Sequence, residues 1–170
     1  MVCSQIKIKH YDNFQLTNFN TLRIKSIAKQ FWLPDNSGEL VSLLKKFKDK
    51  NPIVIGNGSN ILFSSKGIDE PIIHTGNIKD SLVFGETIDV EAGIKTQTLS
   101  KLAYDKGLSG FEFLIGIPAS LGGCTFRMGC LPLRFLTGIV GGHTQYLGAF
   151  AALWDTNDHF VSCLFGEKPL

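Results

Sequence analysis

The sequence predicts an α+β protein with two lobes. Short apolar runs that end in glycine or in a turn signal are typical of buried strands, and they alternate with two segments in which apolar residues recur at helical spacing. The chain has 170 residues, of which 44% are hydrophobic and 19% charged, enough for one domain or two small lobes with modest cores. The expected order is strands, a helix, strands, a second helix and a glycine-rich loop.

The first lobe is expected to open with a strand-like segment over residues 21–33 and to turn at residues 34–38. A helix follows, because Asn36 is a suitable N-cap and Glu39 stands three residues later in capping-box position. Apolar side chains then recur at helical spacing, at Leu40, Val41, Leu43, Leu44 and Phe47. Further short strands are expected at residues 53–55, 61–63 and 71–74.

Four lysines crowd the polar face and the C-terminal end of this helix, at Lys45, Lys46, Lys48 and Lys50. They are consistent with an anion-binding patch or with a solvated helix face. We favour the solvated face, since cations near a helix C-terminus also suit the helix dipole.

The second lobe is expected to contain a hairpin and a helix. Two short strands at residues 81–84 and 87–91 flank the turn signal Gly85-Glu86. Thr96 or Thr98 can cap the following helix, and Gly107 is placed to end it. The helix carries its apolar residues at Leu99, Leu102 and Ala103.

Two glycine-rich stretches are the strongest functional signal in the chain. Residues 56–60 follow an apolar strand and read Gly-Asn-Gly-Ser-Asn, and residues 110–123 contain four further glycines. Glycine can adopt positive φ, and bare backbone N–H groups can then converge on an anion such as a phosphate. Two such loops together indicate a nucleotide-type cofactor held between them.

Composition argues against several other classes of function. The net charge is only +2, which gives no support to a nucleic-acid partner. The first ten residues lack the apolar core of a secretory signal, and no uninterrupted apolar run approaches the ~20 residues of a membrane-spanning helix. We therefore expect a cytoplasmic protein with no membrane association.

The cysteines and histidines suggest neither a metal site nor a catalytic base. The cysteines form no CxxC pair and match no common zinc spacing, so reduced thiols are the expected state. The histidines have no evident partners and are expected to be surface or core residues. These residues are Cys3, Cys124, Cys130 and Cys163, and His10, His74, His143 and His159.

Four stretches resemble the FAD-binding domain of UDP-N-acetylenolpyruvoylglucosamine reductases, a domain of the vanillyl-alcohol-oxidase (PCMH) type. They are Asn20-Thr21-Leu22-Arg23-Ile24, residues 55–62, Val90-Glu91-Ala92-Gly93, and residues 107–123, the last almost word for word. The resemblance covers about residues 17–128, in lobes of about 17–75 and 76–128. Residues 1–16 would then be an N-terminal extension.

The resemblance implies a set of FAD-binding residues, drawn from both loops and from the strand end near the flavin. They are Ile55, Gly56, Asn57, Gly58, Ser59, Asn60, Ala92, Gly93, Gly116, Ile117, Pro118, Ser120, Gly122 and Gly123. Ala119 stands where the family often has glycine, and would tighten the loop if that position needs positive φ.

The resemblance also implies NADPH as reductant and the conversion of UDP-N-acetylenolpyruvoylglucosamine to UDP-N-acetylmuramate for peptidoglycan. In the family a serine donates the proton, aided by a glutamate and by the arginine of a Tyr-Arg-x-Ser stretch, and the serine and glutamate lie in a C-terminal substrate domain. This chain has no Tyr-Arg-x-Ser stretch and no counterpart of that domain, so no catalytic residue is assigned. We expect the 170-residue chain to have little or no activity.

Residues 129–170 form a tail that shows no family resemblance. Residues 131–170 contain five charged residues, Arg134, Asp155, Asp158, Glu167 and Lys168. We favour a frameshift near codon 128 over a genuine divergent ending. The tail's structure and the oligomeric state cannot be predicted.

Two alternatives stay open. The chain is also consistent with a non-catalytic flavin- or nucleotide-binding module whose apolar tail contacts a partner, through Leu131, Phe135, Leu136, Phe150, Leu153, Trp154 and Phe160. Another flavoenzyme of the wider fold, acting as an oxidase, is the second. Such enzymes often hold FAD through histidine or cysteine, and Cys124 is the candidate nearest the second loop.

Overall fold

A computed structural model describes residues 8–85, 87–128 and 163–166. The chain divides into two compact units, one ending at Ile78 and the other beginning at Lys79. Each unit has its own sheet and its own hydrophobic core.

The first unit is built on a four-stranded sheet crossed by one helix. Its strands are β1 (Lys9–Gln15), β2 (Ile27–Leu33), β3 (Ile53–Ile55) and β4 (Ile72–His74), and its helix is α1 (Ser37–Lys46). The spatial order is β1-β2-β4-β3, with β1 antiparallel to β2 and the other pairs parallel. Parallel strands cannot be joined by a tight hairpin, so the chain crosses over between them, through α1 from β2 to β3 and through residues 56–71 from β3 to β4.

Helix α1 begins where the capping residues predict. Asn36 Oδ1 accepts a hydrogen bond from the Glu39 N–H at 2.9 Å, so Asn36 is the N-cap. The Glu39 carboxylate accepts from the Asp35 N–H at 2.8 Å, one residue before the N-cap. The helix buries Leu40 and Leu43, which pack in one cluster with Trp32 of β2.

The lysines near the end of α1 are exposed, as the solvated-face interpretation expects. The Lys46 ammonium lies 4.2 Å from the centre of the Trp32 ring, and His10 stacks on the same ring at 4.5 Å. This arrangement is a surface cation–π contact. His10 therefore packs at the surface.

Two predicted strands of this unit need correction. The predicted strand 21–33 begins only at Ile27. The preceding residues form a turn, in which the Asn20 side chain hydrogen-bonds to the Leu16 carbonyl and the Ile24 N–H. Residues 61–63 form no strand. Ile61 and Phe63 pack against the core as part of a loop, so their apolar character reflects burial without strand pairing.

Strand β1 was not predicted, and it lies within the expected N-terminal extension. Its sequence, Lys-His-Tyr-Asp-Asn-Phe-Gln, is almost wholly exposed because β1 is an edge strand. An edge strand that buries little needs no apolar alternation, which removes the signal that identifies strands in a sequence.

The second unit contains the predicted hairpin, β5 (Ser81–Phe84) and β6 (Thr87–Val90), paired antiparallel. A third strand, β7 (Cys163–Gly166), pairs antiparallel with β6. The helices are α2 (Thr96–Asp105) and α3 (Leu121–Met128). Buried apolar residues of the hairpin, the helices and the segments between them form one core: Ile88, Val90, Ile94, Leu99, Ala103, Phe111, Leu114 and Leu121.

Helix α2 ends at Asp105 and is closed by Gly107, as predicted, but it does not begin with a threonine cap. Gly107 has φ +71°, and its N–H donates to the Tyr104 carbonyl while the Leu108 N–H donates to the Ala103 carbonyl. These two bonds are those of a Schellman motif. The N-cap is Lys95, and Thr96 is the first helical residue. The hydroxyl of Thr96 is used elsewhere, in the second glycine loop.

Candidate functional site

The first glycine loop leaves the end of β3 and turns at Gly58. Gly58 is buried and has φ +67°, a backbone conformation that favours glycine. A Cβ added there would lie 2.0 Å from the Phe19 carbonyl oxygen. The Thr21 N–H donates to the Gly58 carbonyl at 3.2 Å. Conformation and close approach together require glycine at this position.

This loop presents backbone donors that the protein does not use. Within the described part of the chain, the N–H groups of Gly56, Ser59 and Asn60 make no hydrogen bond. Asn60 is exposed and Ser59 is half-buried, so both can meet a ligand. Unpaired N–H groups on successive residues attract an anion.

The second glycine stretch is largely helical, which corrects the expectation of an open loop. Residues Glu112–Gly116 form a 3-10 turn, and Gly122 and Gly123 lie in the first turn of α3. The glycines of this stretch are not at positive φ, apart from Gly110 at +90°. Ala119 has no left-handed backbone either, so alanine there imposes no strain.

A short neighbouring segment fastens this stretch in place. The Gly122 N–H donates to the Ala92 carbonyl and the Leu121 N–H donates to the Ile94 carbonyl, each at 2.8 Å. The Thr96 hydroxyl donates to the Ile117 carbonyl and approaches the Ala119 carbonyl, which also accepts from the Thr96 N–H at 3.1 Å. The backbone of residues 117–122 is therefore held by residues 92–96.

Gly122 is needed for this contact, because a Cβ there would lie 2.8 Å from the Ala92 Cβ. The N–H of the next residue, Gly123, is not used to hold the stretch in place. Gly123 is exposed, and its N–H makes no hydrogen bond within the described residues. This donor sits at the positive end of the α3 dipole, where an anion is favoured.

The predicted site residues thus fall into two groups, one in each unit. Ile55, Gly56, Asn57, Gly58, Ser59 and Asn60 form the first group. The second group brings Ala92 and Gly93 beside the stretch that contains Gly116, Ile117, Pro118, Ser120, Gly122 and Gly123. Ala92 contacts the second stretch through its carbonyl, which accepts from the Gly122 N–H, and Gly93 is buried. The FAD-binding role of Ala92 and Gly93 stays a prediction.

Two supporting residues were not foreseen from the sequence. In the sequence, Asn20 stands out only as part of a stretch that resembles the family, and Thr96 only as a candidate helix cap. Each is buried, and its side chain binds backbone carbonyls of a turn or loop. A buried asparagine or threonine carries no mark in the sequence that distinguishes it from a surface one, so nothing local could have identified them.

His74 lies at the end of β4, beside the strand that leads into the first loop. Its Nδ1 accepts from the Gly76 N–H at 3.2 Å, and its ring meets the Phe19 ring edge-on at 5.0 Å. Burial lowers the pKa of His74 below its ordinary value. His74 is half-buried against aromatic rings of the core, consistent with the prediction of a surface or core residue.

Cys124 is buried in α3, and burial raises the pKa of its thiol. Among residues 8–85, 87–128 and 163–166, no cluster of histidine, cysteine, aspartate and glutamate has the size to hold a metal ion. In the same ranges no helix is long and apolar enough to cross a bilayer. The predicted partner surface of the tail, His143 and His159 lie outside the described residues.

Comparison of the chain with known proteins identifies a family. The FAD binding domain family matches residues 28–151, a range that runs beyond Met128, where the resemblance ends in the sequence. The boundary of the FAD-binding domain, 17–128, stays a prediction.

The curated relatives that the chain resembles carry one enzyme name. UDP-N-acetylenolpyruvoylglucosamine reductase from Caldicellulosiruptor bescii is 34% identical over 121 residues, which are 70% of this chain and 38% of that protein. The enzyme of that name from Borrelia garinii is 37% identical over 114 residues, 65% of this chain and 37% of that protein.

A solved structure of an enzyme of this name is also similar to the chain. The crystal structure of UDP-N-acetylenolpyruvylglucosamine reductase from Thermus caldophilus matches with a TM-score of 0.54 at 29% identity, over 70% of this chain and 41% of that one. The chain thus spans about two-fifths of the length of the relatives it matches. The chain belongs to the FAD binding domain family, as a domain of the UDP-N-acetylenolpyruvoylglucosamine reductase type.

Proposed function

We propose that this chain binds FAD through its two glycine stretches and serves as the FAD-binding part of a reductase. The reductase would use NADPH to convert UDP-N-acetylenolpyruvoylglucosamine to UDP-N-acetylmuramate in peptidoglycan synthesis. The observation that carries the proposal is the set of unpaired N–H groups at Gly56, Ser59, Asn60 and Gly123, in a chain of the FAD binding domain family.

The donor set fits the diphosphate of FAD. A diphosphate offers only acceptors and negative charge, and the first loop offers only donors from its free amides. The second unit has a free donor of its own, the Gly123 N–H, at the positive end of the α3 dipole. The predicted roles of Asn57, Gly116, Ile117, Pro118 and Ser120 in FAD binding belong to the same proposal.

FAD, when bound, supplies the hydride-transfer chemistry of the reductase. The residues of this chain would bind and orient it, and we assign no proton donor among them. NADPH, the nucleotide-sugar substrate, a cytoplasmic location and a role in cell shape and division follow from the proposed reaction. Because no described residue is assigned as the proton donor, we expect the 170-residue chain to bind FAD without substrate-dependent NADPH consumption.

Gel filtration of the full chain with excess FAD tests the proposal. We expect visible flavin absorbance to co-elute with the protein. Asn60→Asp places a negative charge beside the proposed diphosphate and should weaken FAD binding about tenfold, equivalent to ~1.4 kcal/mol. Asn13→Asp makes the same change at an exposed residue of β1 and should have no effect. A folded, colourless wild-type chain would contradict the proposal.

NADPH consumption tests the second part. It is measured on the full chain and FAD, with and without UDP-N-acetylenolpyruvoylglucosamine. Equal rates are expected. Faster consumption with the substrate would show that the chain catalyses the reaction by itself.

A further inference from the structure

The turn before β2 is organised by one buried side chain. The Asn20 side-chain amide donates to the Leu16 carbonyl at 2.8 Å and to the Ile24 carbonyl at 3.1 Å. Its oxygen accepts from the Ile24 N–H at 2.9 Å. Asn20 is only 3% exposed. Both amide hydrogens and the oxygen are therefore committed to backbone, which fixes the chain on either side of Asn20.

The two neighbours of Asn20 both contact Gly58 in the first glycine loop. A Cβ built on Gly58 would lie only 2.0 Å from the Phe19 carbonyl oxygen. The Thr21 N–H donates to the Gly58 carbonyl at 3.2 Å. Gly58 is thus held on its Cα side and at its carbonyl by one short turn. The unpaired amides of Ser59 and Asn60 follow immediately.

The geometry points to Asn20 as a positioning residue for this loop. It acts through Phe19 and Thr21, which seat Gly58 and so aim the Ser59 and Asn60 amides before any ligand arrives. Donors that are already in place bind an anion more tightly, because less ordering remains to be done on binding. The ligand in question, the diphosphate of FAD, rests on the proposed function.

Thr21→Pro removes one of the two contacts and leaves the turn. The Arg23 N–H donates to the Asn20 carbonyl at 3.2 Å, so Thr21 is the second residue of a β-turn, where proline is favoured. Asn20 has φ −144° and ψ 143°, the extended backbone that a residue before proline prefers. Proline therefore deletes the N–H that reaches Gly58 without opposing the local backbone.

We expect Thr21→Pro to raise the Kd for FAD about fivefold, because the Ser59 and Asn60 amides then have to be ordered on binding. The melting temperature should change little, since the lost hydrogen bond is offset by the smaller conformational freedom that proline gives the unfolded chain. Thr21→Ala keeps the N–H and should bind FAD like the wild type. Equal FAD affinity for the proline and wild-type chains would overturn the inference.

Asn20→Ala tests the residue itself, and Leu43→Ala is its matched control. Leu43 is buried in the α1 cluster of the same unit, and its truncation also destabilises the unit. NMR order parameters of the Ser59 and Asn60 amides are measured without FAD. Asn20→Ala should lower them from about 0.85 to below about 0.6, and Leu43→Ala should leave them unchanged.

The outcomes separate the two proposals. A wild-type chain that binds no FAD contradicts the proposed function, while the order parameters still decide the role of Asn20. Rigid Ser59 and Asn60 amides in Asn20→Ala, or equal loosening in Leu43→Ala, would overturn the positioning role. If Asn20→Ala does not fold, the same order parameters are read in Thr21→Pro, where an unchanged loop is the contradicting result.

Discussion

The two glycine stretches look alike in the sequence but use glycine for different reasons. In the first, Gly58 adopts positive φ and turns the chain against the Phe19 carbonyl. In the second, Gly122 has ordinary helical geometry, and what matters is the missing Cβ where α3 meets Ala92. Gly58 is needed for its backbone conformation and for a close contact, whereas Gly122 is needed only for a close contact.

This difference determines what can compensate for a lost glycine. A side chain at a position of positive φ is strained whatever its neighbours are. A side chain at a close approach is tolerated once the opposing group is made smaller. The two loops should therefore respond differently to second-site changes.

The largest effect is expected from Gly58→Ala. The new Cβ would meet a backbone oxygen at 2.0 Å, and alanine would be held at φ +67°. Left-handed strain and overpacking together should lower the free energy of unfolding by about 3 kcal/mol, and FAD binding should be lost. Denaturant unfolding measures the first and flavin titration the second.

Gly85→Ala is the control for this change. Gly85 has φ +57° in the β5–β6 turn, and nothing lies within 4 Å of an added Cβ. Only the strain remains, at about 1 kcal/mol, and FAD binding should persist. Equal losses at Gly58 and Gly85 would show that the contact with Phe19 is unimportant.

Thr96→Val should have the next largest effect, and on the second stretch alone. Valine keeps the shape of the buried side chain but removes the hydroxyl that reaches the Ile117 and Ala119 carbonyls. An unmet buried hydrogen bond should cost about 2 kcal/mol in unfolding free energy. The exposed Thr98→Val in the same helix is the comparison, and a similar loss there would refute the role of Thr96.

Gly122→Ala should cost about 1 kcal/mol, because overpacking against Ala92 is partly offset by the better helix propensity of alanine. The double variant with Ala92→Gly should recover the loss, which a double-mutant cycle measures. Gly38→Ala, in the first turn of α1, has no such opposing methyl group and needs no rescue. Failure of the rescue would contradict the packing role of Gly122.

The smallest effect is a pH dependence of the first unit through His74. Since burial lowers its pKa below the unfolded value of 6.5, the unfolded chain takes up the proton more readily. The contribution of neutral His74 to stability is complete above about pH 6.5 and is lost as the pH falls. His74→Asn retains an acceptor for the Gly76 N–H and should flatten this dependence in melting experiments.

Local signals in the sequence were sufficient for much of the fold. The Asn36 cap, the Gly107 stop and the Gly85 turn were predicted correctly because each depends on the residue itself and its near neighbours. The location of the glycine loops was also predicted. The strand at residues 61–63 was wrong because burial in a loop leaves the same apolar pattern as a strand.

The reason for each glycine could not be predicted, because it depends on distant residues. Gly58 faces Phe19 and Gly122 faces Ala92, each about thirty or more positions away in the sequence. The roles of Asn20 and Thr96 could not be predicted either, because the tertiary fold determines which groups their side chains meet. The glycine stretches could therefore be identified from the sequence, but the contacts that support them could not.

The central claim is that the free amides of the first glycine loop bind the diphosphate of FAD, and competition against bound FAD tests it most directly. ADP carries the diphosphate, whereas adenosine and riboflavin each carry one end of FAD without it. The account predicts that ADP displaces FAD from the full chain while adenosine and riboflavin do so at least about tenfold less well. Displacement by riboflavin as effective as that by ADP would contradict it.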